Sequence, residues 1–246
     1  MFDLDNIHGL FLHEVYIPHN TGSFIAMAVE LLFPKLAVFG ASGPMGRLVV
    51  QQALAKGHVV CAIVRSPEKF DLKHEKLEVI KGDVFNAESL VPILEGKDAV
   101  LSCLGAHGTS VFKHTTLYSE SMKAISSAMK KTNLNRLVCV TSWSTQKEPG
   151  CPKLIEWFLK PLLMAGFIHN MALMENLLME SNLCYTVVRP PILSNDPAKS
   201  DYKVIEGQFV PGAPMFIPRA DVADFILSSL DTHEWDRKCV AIGRKS

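Results

Sequence analysis

Lys35-Leu36-Ala37-Val38-Phe39-Gly40-Ala41-Ser42-Gly43-Pro44-Met45-Gly46 is the stretch that decides the fold. A short apolar strand runs into a glycine turn, and a helix carrying Leu48, Val49, Ala53 and Leu54 follows. Gly40 lets the chain turn sharply off the strand, Gly43 keeps side chains away from a pyrophosphate, and Gly46 permits close packing of helix on sheet. The helix then aims its unpaired amides and the positive end of its dipole at the phosphates. The spacing is G-x-x-G-x-x-G rather than G-x-G-x-x-G. This is a variant of the dinucleotide fingerprint, and its weight comes from the strand-turn-helix setting.

Outward from this stretch, short apolar strands alternate with longer segments of helical period, the pattern of a parallel sheet covered on both faces. The first strand (35–39) leads to a helix over about 44–56 that Gly57 ends. A second strand covers 58–64 and a third 77–81, followed by Gly82-Asp83-Val84. A helix starts near Asn86, with Ala87-Glu88-Ser89 in its first turn, and closes at Gly96. The fourth strand (99–104) opens into Gly105-Ala106-His107-Gly108-Thr109-Ser110, a loop at the carboxyl end of the sheet, where open α/β folds carry ligands. A helix over about 116–131 precedes a fifth strand (136–140) that ends in Thr141-Ser142-Trp143-Ser144. Residues 152–181 form the longest helical stretch, broken or kinked at Pro161 and Gly166. A sixth strand (184–188), a Pro/Gly-rich loop, a helix over about 221–230 and a last strand near 239–242 complete the chain. The expected architecture is α/β: one Rossmann-type domain with a doubly wound parallel sheet over residues 35–246, its small C-terminal portion on the substrate side.

Of 246 residues, 48% are hydrophobic and 20% charged, enough for one large domain with a generous core. Twenty-five basic residues balance twenty-five acidic ones, which argues against nucleic acid and anionic membrane surfaces as partners. Cys61, Cys103, Cys139, Cys151, Cys184 and Cys239 form no C-x-x-C pair and fall mostly in strand-like runs. They read as buried free thiols in a reducing compartment, the cytoplasm. Glu30 interrupts the best apolar run (24–33), which falls short of the roughly 18 residues of a membrane span. A soluble protein, taken as a monomer, is expected.

Residues 1–34 stand apart as an N-terminal extension. They hold Asp3, Asp5, Glu14 and Glu30 but no Lys or Arg, unlike a signal peptide or an Arg-rich transit peptide. Pro18, Asn20 and Gly22 break its apolar pieces, so it reads either as loosely ordered or as an extra strand packed on the domain. Met27 is an alternative start.

The end of the second strand selects the dinucleotide. A protein for NAD usually places Asp or Glu there to accept from the ribose 2′-hydroxyl, whereas this chain has Val64-Arg65-Ser66. The Arg65 guanidinium, the Ser66 hydroxyl and Lys69 suit a 2′-phosphate, which points to NADP(H); the plainer reading makes Arg65 and Lys69 solvated loop charges. Asp83 follows the third strand where an adenine would sit, although Asp after Gly is also common turn chemistry.

The ordered set Gly40-Ala41-Ser42-Gly43-Pro44-Met45-Gly46, Val64-Arg65-Ser66, Gly82-Asp83-Val84, Leu104-Gly105, Thr141-Ser142, Arg189-Pro190-Pro191 and Ile217-Pro218-Arg219-Ala220-Asp221-Val222-Ala223 resembles the atypical, NmrA-like short-chain dehydrogenase/reductases. Within them it is most similar to the NADPH-dependent flavin reductase and biliverdin-IXβ reductase family, over residue 35 to the end. The resemblance implies that Gly40, Ser42, Gly43, Pro44, Met45 and Gly46 contact the pyrophosphate and that Arg65 with Ser66 holds the 2′-phosphate. It also implies that Asp83 and Val84 lie by the adenine, that Leu104, Gly105 and Ala106 line the nicotinamide ribose, and that Ser142, Pro190, Pro191 and Ile192 flank the nicotinamide. Members of that family often place a histidine just after the paired prolines; Ile192 occupies that place here.

An ordinary short-chain dehydrogenase pairs Tyr with Lys four residues on. Here Tyr16 is followed at that distance by Asn20, Tyr118 by Met122, Tyr185 by Arg189 and Tyr202 by Glu206. Carbonyl reduction by a tyrosinate is therefore disfavoured. Hydride transfer to a planar acceptor, a flavin or a linear tetrapyrrole, needs mainly orientation of two rings. Ser142 is the candidate polar group facing that acceptor, against the alternative of a strand-end cap. His107 and His169 read as possible donors to the acceptor or as surface residues. Trp143, Trp157, Phe158, Phe167 and the methionines over 164–179 read as an apolar platform or as core, and Lys153 and Lys160 as steering charges or solvated lysines. The rival function is a regulator that binds NADP(H) without turnover; a carbonyl reductase or epimerase with unfamiliar acid/base groups ranks third.

Overall fold

The computed structural model describes residues 11–13, 27–29, 31–105, 115–146 and 165–245. Strand β3 (Lys35–Phe39) is its axis, because Leu36, Ala37, Val38 and Phe39 are all wholly buried. Such a strand must be covered on both faces, and the two-residue period of the backbone divides it between two cores. Leu36 and Val38 face one core, to which helices α1 (Pro44–Ala55) and α5 (Arg219–Ser228) contribute. Ala37 and Phe39 face the other, to which α2 (Ala87–Leu94), α3 (Leu117–Lys131) and α4 (Ala165–Met179) contribute.

The remaining strands of the main sheet are β4 (Val59–Val64), β5 (Leu77–Lys81), β6 (Ala99–Ser102), β7 (Arg136–Val140), β8 (Cys184–Arg189), β10 (Tyr202–Glu206) and β12 (Lys238–Arg244). Across the sheet the order is β10-β12-β8-β7-β6-β3-β4-β5. Every pair is parallel except β10–β12, an antiparallel edge in the Pro/Gly-rich region expected to be loop. Two further parallel strands, β9 (Ile192–Ser194) and β11 (Phe216–Pro218), form a separate pair. In the N-terminal segment β1 (Phe11–His13) pairs antiparallel with β2 (Met27–Val29).

The α/β class and the doubly wound sheet are as expected, and most ends move by one or two residues. The fourth strand is shorter than the expected 99–104, because Cys103 leaves the ladder after one last bond from its amide to the Phe39 carbonyl, 3.0 Å. The connection from β4 to β5 carries only a 3-10 turn over Pro67–Lys69. Winding reverses between β3 and β6, which opens a crevice beyond their carboxyl ends.

Candidate cofactor and acceptor site

Gly40 leaves β3 with φ +71°, and the Gly43 amide donates to the Gly40 carbonyl at 2.9 Å to close the turn. A Cβ on Gly40 would stand 2.6 Å from the Cys103 carbonyl oxygen, so the ends of β3 and β6 touch through backbone. A Cβ on Gly46 would lie 2.2 Å from the Gly40 carbonyl oxygen, so α1 sits directly on the turn. Gly43 is the cap of α1 and contributes no side-chain cap, and Pro44 fills the first position, which needs no amide. Amides of the first turn are thereby left for an outside acceptor. Ser42 and Pro44 are exposed on this cradle, Gly43 is half-buried, and Met45 and Gly46 are buried beneath it. The cradle fits a pyrophosphate.

Two guanidinium groups lie near this end, and they differ. Arg47 of α1 is engaged, 2.6 Å from Asp71 and with its guanidinium over the Phe70 ring. Arg65, just past β4, is exposed and has no ion pair or hydrogen bond among the described residues. Ser66 is half-buried, and its carbonyl accepts from the Lys69 amide at 3.1 Å. Asp83 is exposed, and its Oδ1 accepts from the Phe85 amide at 3.0 Å, which is turn chemistry. Val84 is half-buried against the core.

At the end of β6, Leu104 and Gly105 are half-buried; Ala106 and His107 lie outside the described residues. Beside them, the turn after β7 is pinned from several directions. The Thr141 amide donates to Val188 O and the Trp143 amide to Pro190 O, both at 2.9 Å, and Trp143 Nε1 donates to Ile242 O at 3.1 Å. Thr141 Oγ1 donates to Glu175 Oε1 at 2.8 Å, and Thr145 Oγ1 lies 2.8 Å from Oε2. Gln208 Oε1 accepts from the Gln146 amide at 3.0 Å, and its carbonyl accepts from the Ser144 amide at 3.1 Å. Between these anchors Ser142 is half-buried, with no side-chain hydrogen bond among the described residues. The capping alternative for Ser142 therefore finds no partner among those residues. Pro190 and Pro191 are buried beside this turn, and Ile192 is exposed beyond them.

Sequence reasoning does not reach Glu175, Arg189, Thr145 and Gln208 as site residues, and a Glu in an apolar helix before an Arg-Pro-Pro strand end is the signal that could find the pair. The platform reading fails for Trp143, Phe167 and Met174, which are buried in the cores where close packing claims their surfaces. Met171 is half-buried and Met179 partly exposed. Cys151, Lys153, Trp157, Phe158, Lys160 and Met164 lie outside the described residues, and His169 is exposed on α4.

Conventional acid/base groups are missing from the described edge. Tyr185 is buried, and burial raises its pKa. Burial, aided by its bond to Asp224, pushes the Tyr202 hydroxyl up to about 12. Burial likewise lifts the Cys61 and Cys239 thiols to about 11 and that of Cys103 to about 12, so these are inert rather than nucleophilic. The five described cysteines are all free. Two cavities, of about 570 and 400 Å³, open at the amino ends of β5 and of β6 and β7, away from the glycine turn. Among the described residues, no helix is long and apolar enough to cross a membrane, and no group of His, Cys, Asp and Glu is arranged to hold a metal.

The model of a family described as NAD(P)H-binding matches residues 40–233. The photosystem II assembly factor Ycf39 of Synechocystis is 27% identical over 156 residues, which are 63% of this chain and 44% of that protein. The chain thus spans less than half the length of that relative. A short-chain dehydrogenase/reductase of Veillonella parvula in complex with NADP superposes with a TM-score of 0.72 at 21% identity, covering 87% of this chain and 96% of that one. A candidate NADH-flavin reductase of Streptococcus pneumoniae superposes with a TM-score of 0.65 at 23% identity, covering 86% and 99%. At these identities the solved structures establish the shared fold.

Proposed function

The chain belongs to the NAD(P)H-binding family, and from that premise we propose that it is an NADPH-dependent reductase passing hydride to a planar conjugated acceptor, a flavin or a biliverdin-like tetrapyrrole. The observation that carries this reading is the carboxyl edge itself: a pyrophosphate cradle, an exposed Arg65 and a pinned turn bearing Ser142, with no Tyr–Lys pair beside them among the described residues. Gly40, Ser42, Gly43, Pro44, Met45 and Gly46 form the cradle, while Arg65 and Ser66 receive the 2′-phosphate. Asp83 and Val84 border the adenine; Leu104, Gly105, Pro190, Pro191 and Ile192 enclose the nicotinamide end. Bound NADPH supplies the hydride, and the conjugated acceptor takes its balancing proton from water, so the chain has to orient two rings rather than ionise a side chain. The Ser142 hydroxyl offers the acceptor one hydrogen bond.

The test is an acceptor screen that follows NADPH absorbance with FMN and with biliverdin, against a Gly43→Trp control whose side chain fills the cradle. Turnover by the wild type alone is expected; equal rates in both proteins would end this reading. The similarity to an assembly factor favours a second one, an NADP(H)-sensing binding protein. Partner capture that depends on NADPH, with no oxidation of the nucleotide, is what that reading expects.

A further inference from the structure

Beyond Pro190 and Pro191 the chain builds a small platform that folding does not explain. β9 and β11 run parallel with Ile192 opposite Phe216 and Leu193 opposite Ile217. Partners on paired strands project to the same face, and the next pair projects to the other. Ile217 is wholly buried and Leu193 packs on the same core, so this second pair holds the strands to the domain. Ile192 and Phe216 therefore stand together on the opposite face, where they remain 46% and 54% exposed. The Ile192 amide donates to the Met215 carbonyl at 3.0 Å, which fixes the pair in register.

An aromatic ring and a β-branched side chain, carried on backbone fixed in register and left in water, form a ready surface for a flat apolar ligand, because little backbone ordering entropy remains to be lost on contact. Its place in the chain says which ligand. The platform follows directly from Pro190, whose carbonyl accepts from the Trp143 amide at 2.9 Å, next to Ser142. Ile192 thus lies two residues along the chain from an atom bonded to the turn that carries the Ser142 hydroxyl, at the carboxyl edge of the sheet.

We propose that Phe216, with Ile192 beside it, is the surface on which the conjugated ring of the acceptor stacks, and that Phe216 sets the preference for planar acceptors. The inference rests on the reductase reading. Stacking of one ring on an aromatic side chain predicts a loss of about tenfold on truncation to alanine.

Steady-state kinetics with NADPH and FMN on wild type, Phe216→Ala and Phe216→Trp test it, with NADPH Kd measured in parallel by fluorescence. In Phe216→Ala the expected result is a KM for FMN raised about tenfold, with NADPH Kd within about twofold of wild type. Phe216→Trp should restore the FMN KM. The side chain is exposed, so folding is expected to survive, and an unchanged thermal midpoint checks this. An unchanged KM for FMN in Phe216→Ala, with a wild type that does reduce FMN, overturns the stacking role alone. An effect of the variant confined to self-association in sedimentation overturns it as well. A wild type that oxidises NADPH with neither FMN nor biliverdin overturns the reductase reading and this inference together.

Discussion

Glu175 on α4 and Arg189 at the end of β8 form a two-point ion pair, Nε to Oε1 at 3.1 Å and Nη2 to Oε2 at 2.7 Å, with the Glu175 side chain wholly buried. Thr141 donates to the same carboxylate, and Arg189 Nη1 donates to the Gly207 carbonyl at 2.9 Å. One helix, two strand ends and the turn bearing Ser142 are thereby joined through two charges. Desolvating two ions is costly, and the pair persists because both carboxylate oxygens and all three guanidinium nitrogens find partners.

Removing one partner should therefore hurt more than removing both. Glu175→Ala leaves a buried guanidinium uncompensated and is expected to cost about 3–5 kcal/mol. Replacing Glu175 and Arg189 together by Met should recover a large part of that loss. Urea unfolding of wild type and the two variants measures it; a Glu175→Ala midpoint equal to wild type would show that the pair contributes nothing.

A second prediction concerns the cradle. In Gly46→Ala the new methyl would meet the Gly40 carbonyl oxygen at 2.2 Å, and that atom is backbone, so α1 has to move off the turn. Overpacking of this kind costs about 1–3 kcal/mol. The displaced helix amides should also lower NADPH affinity. Thermal melts and an NADPH titration check both effects, and an unaltered Kd would mean that the nucleotide does not use this turn.

Residues 35–46 are legible in the sequence because their geometry is local: strand, turn and helix start lie within twelve consecutive residues, and Gly40 and Gly46 each answer to a nearby backbone atom. The sheet follows from apolar periodicity for the same reason. What escapes is made by distant partners. Asn170 on α4 accepts from the Tyr118 and Ser119 amides at 2.9 and 3.1 Å, capping α3 from a separate helix, while Thr116 at the helix's own cap position contributes no side-chain bond. Glu175 finds its charge partner on a strand, and β9, β10 and β11 are short pairings within a stretch whose Pro and Gly content reads as loop. Trp143, readable in sequence either as platform or as core, is settled as core by a distant partner too, since its indole nitrogen donates to the Ile242 carbonyl.

Arg65 yields a third prediction, on nucleotide choice. A guanidinium with no partner among the described residues has no protein contact to give up on meeting a 2′-phosphate, and a charge-assisted bond of this type contributes about 1.5–3 kcal/mol. Arg65→Ala should raise the NADPH Kd by about 10- to 150-fold and leave the NADH Kd near its starting value. Equal losses for the two nucleotides would remove Arg65 from the 2′-phosphate site and leave Arg47, once freed from Asp71, as the alternative.

His58 closes the set with a pH dependence. It is buried, and its Nδ1 lies 2.9 Å from the Phe33 carbonyl oxygen, so the neutral ring donates there. Burial lowers its pKa below 6.5 and outweighs the Phe33 carbonyl and Asp231, which act to raise it. As the pH falls past 6.5 the unfolded chain takes up a proton that the folded chain refuses. The unfolded state then holds more protons, so stability declines with falling pH until the lowered folded value is reached, and this residue contributes no slope well above 6.5. The decline is at most about 1.4 kcal/mol per pH unit for one proton. Asn in its place keeps a donor toward Phe33 and does not titrate. Urea midpoints between about pH 8 and pH 5 should therefore fall less steeply in His58→Asn than in wild type, with the two curves parallel above about pH 7.5. Parallel curves over the whole range would mean that His58 titrates alike in both states.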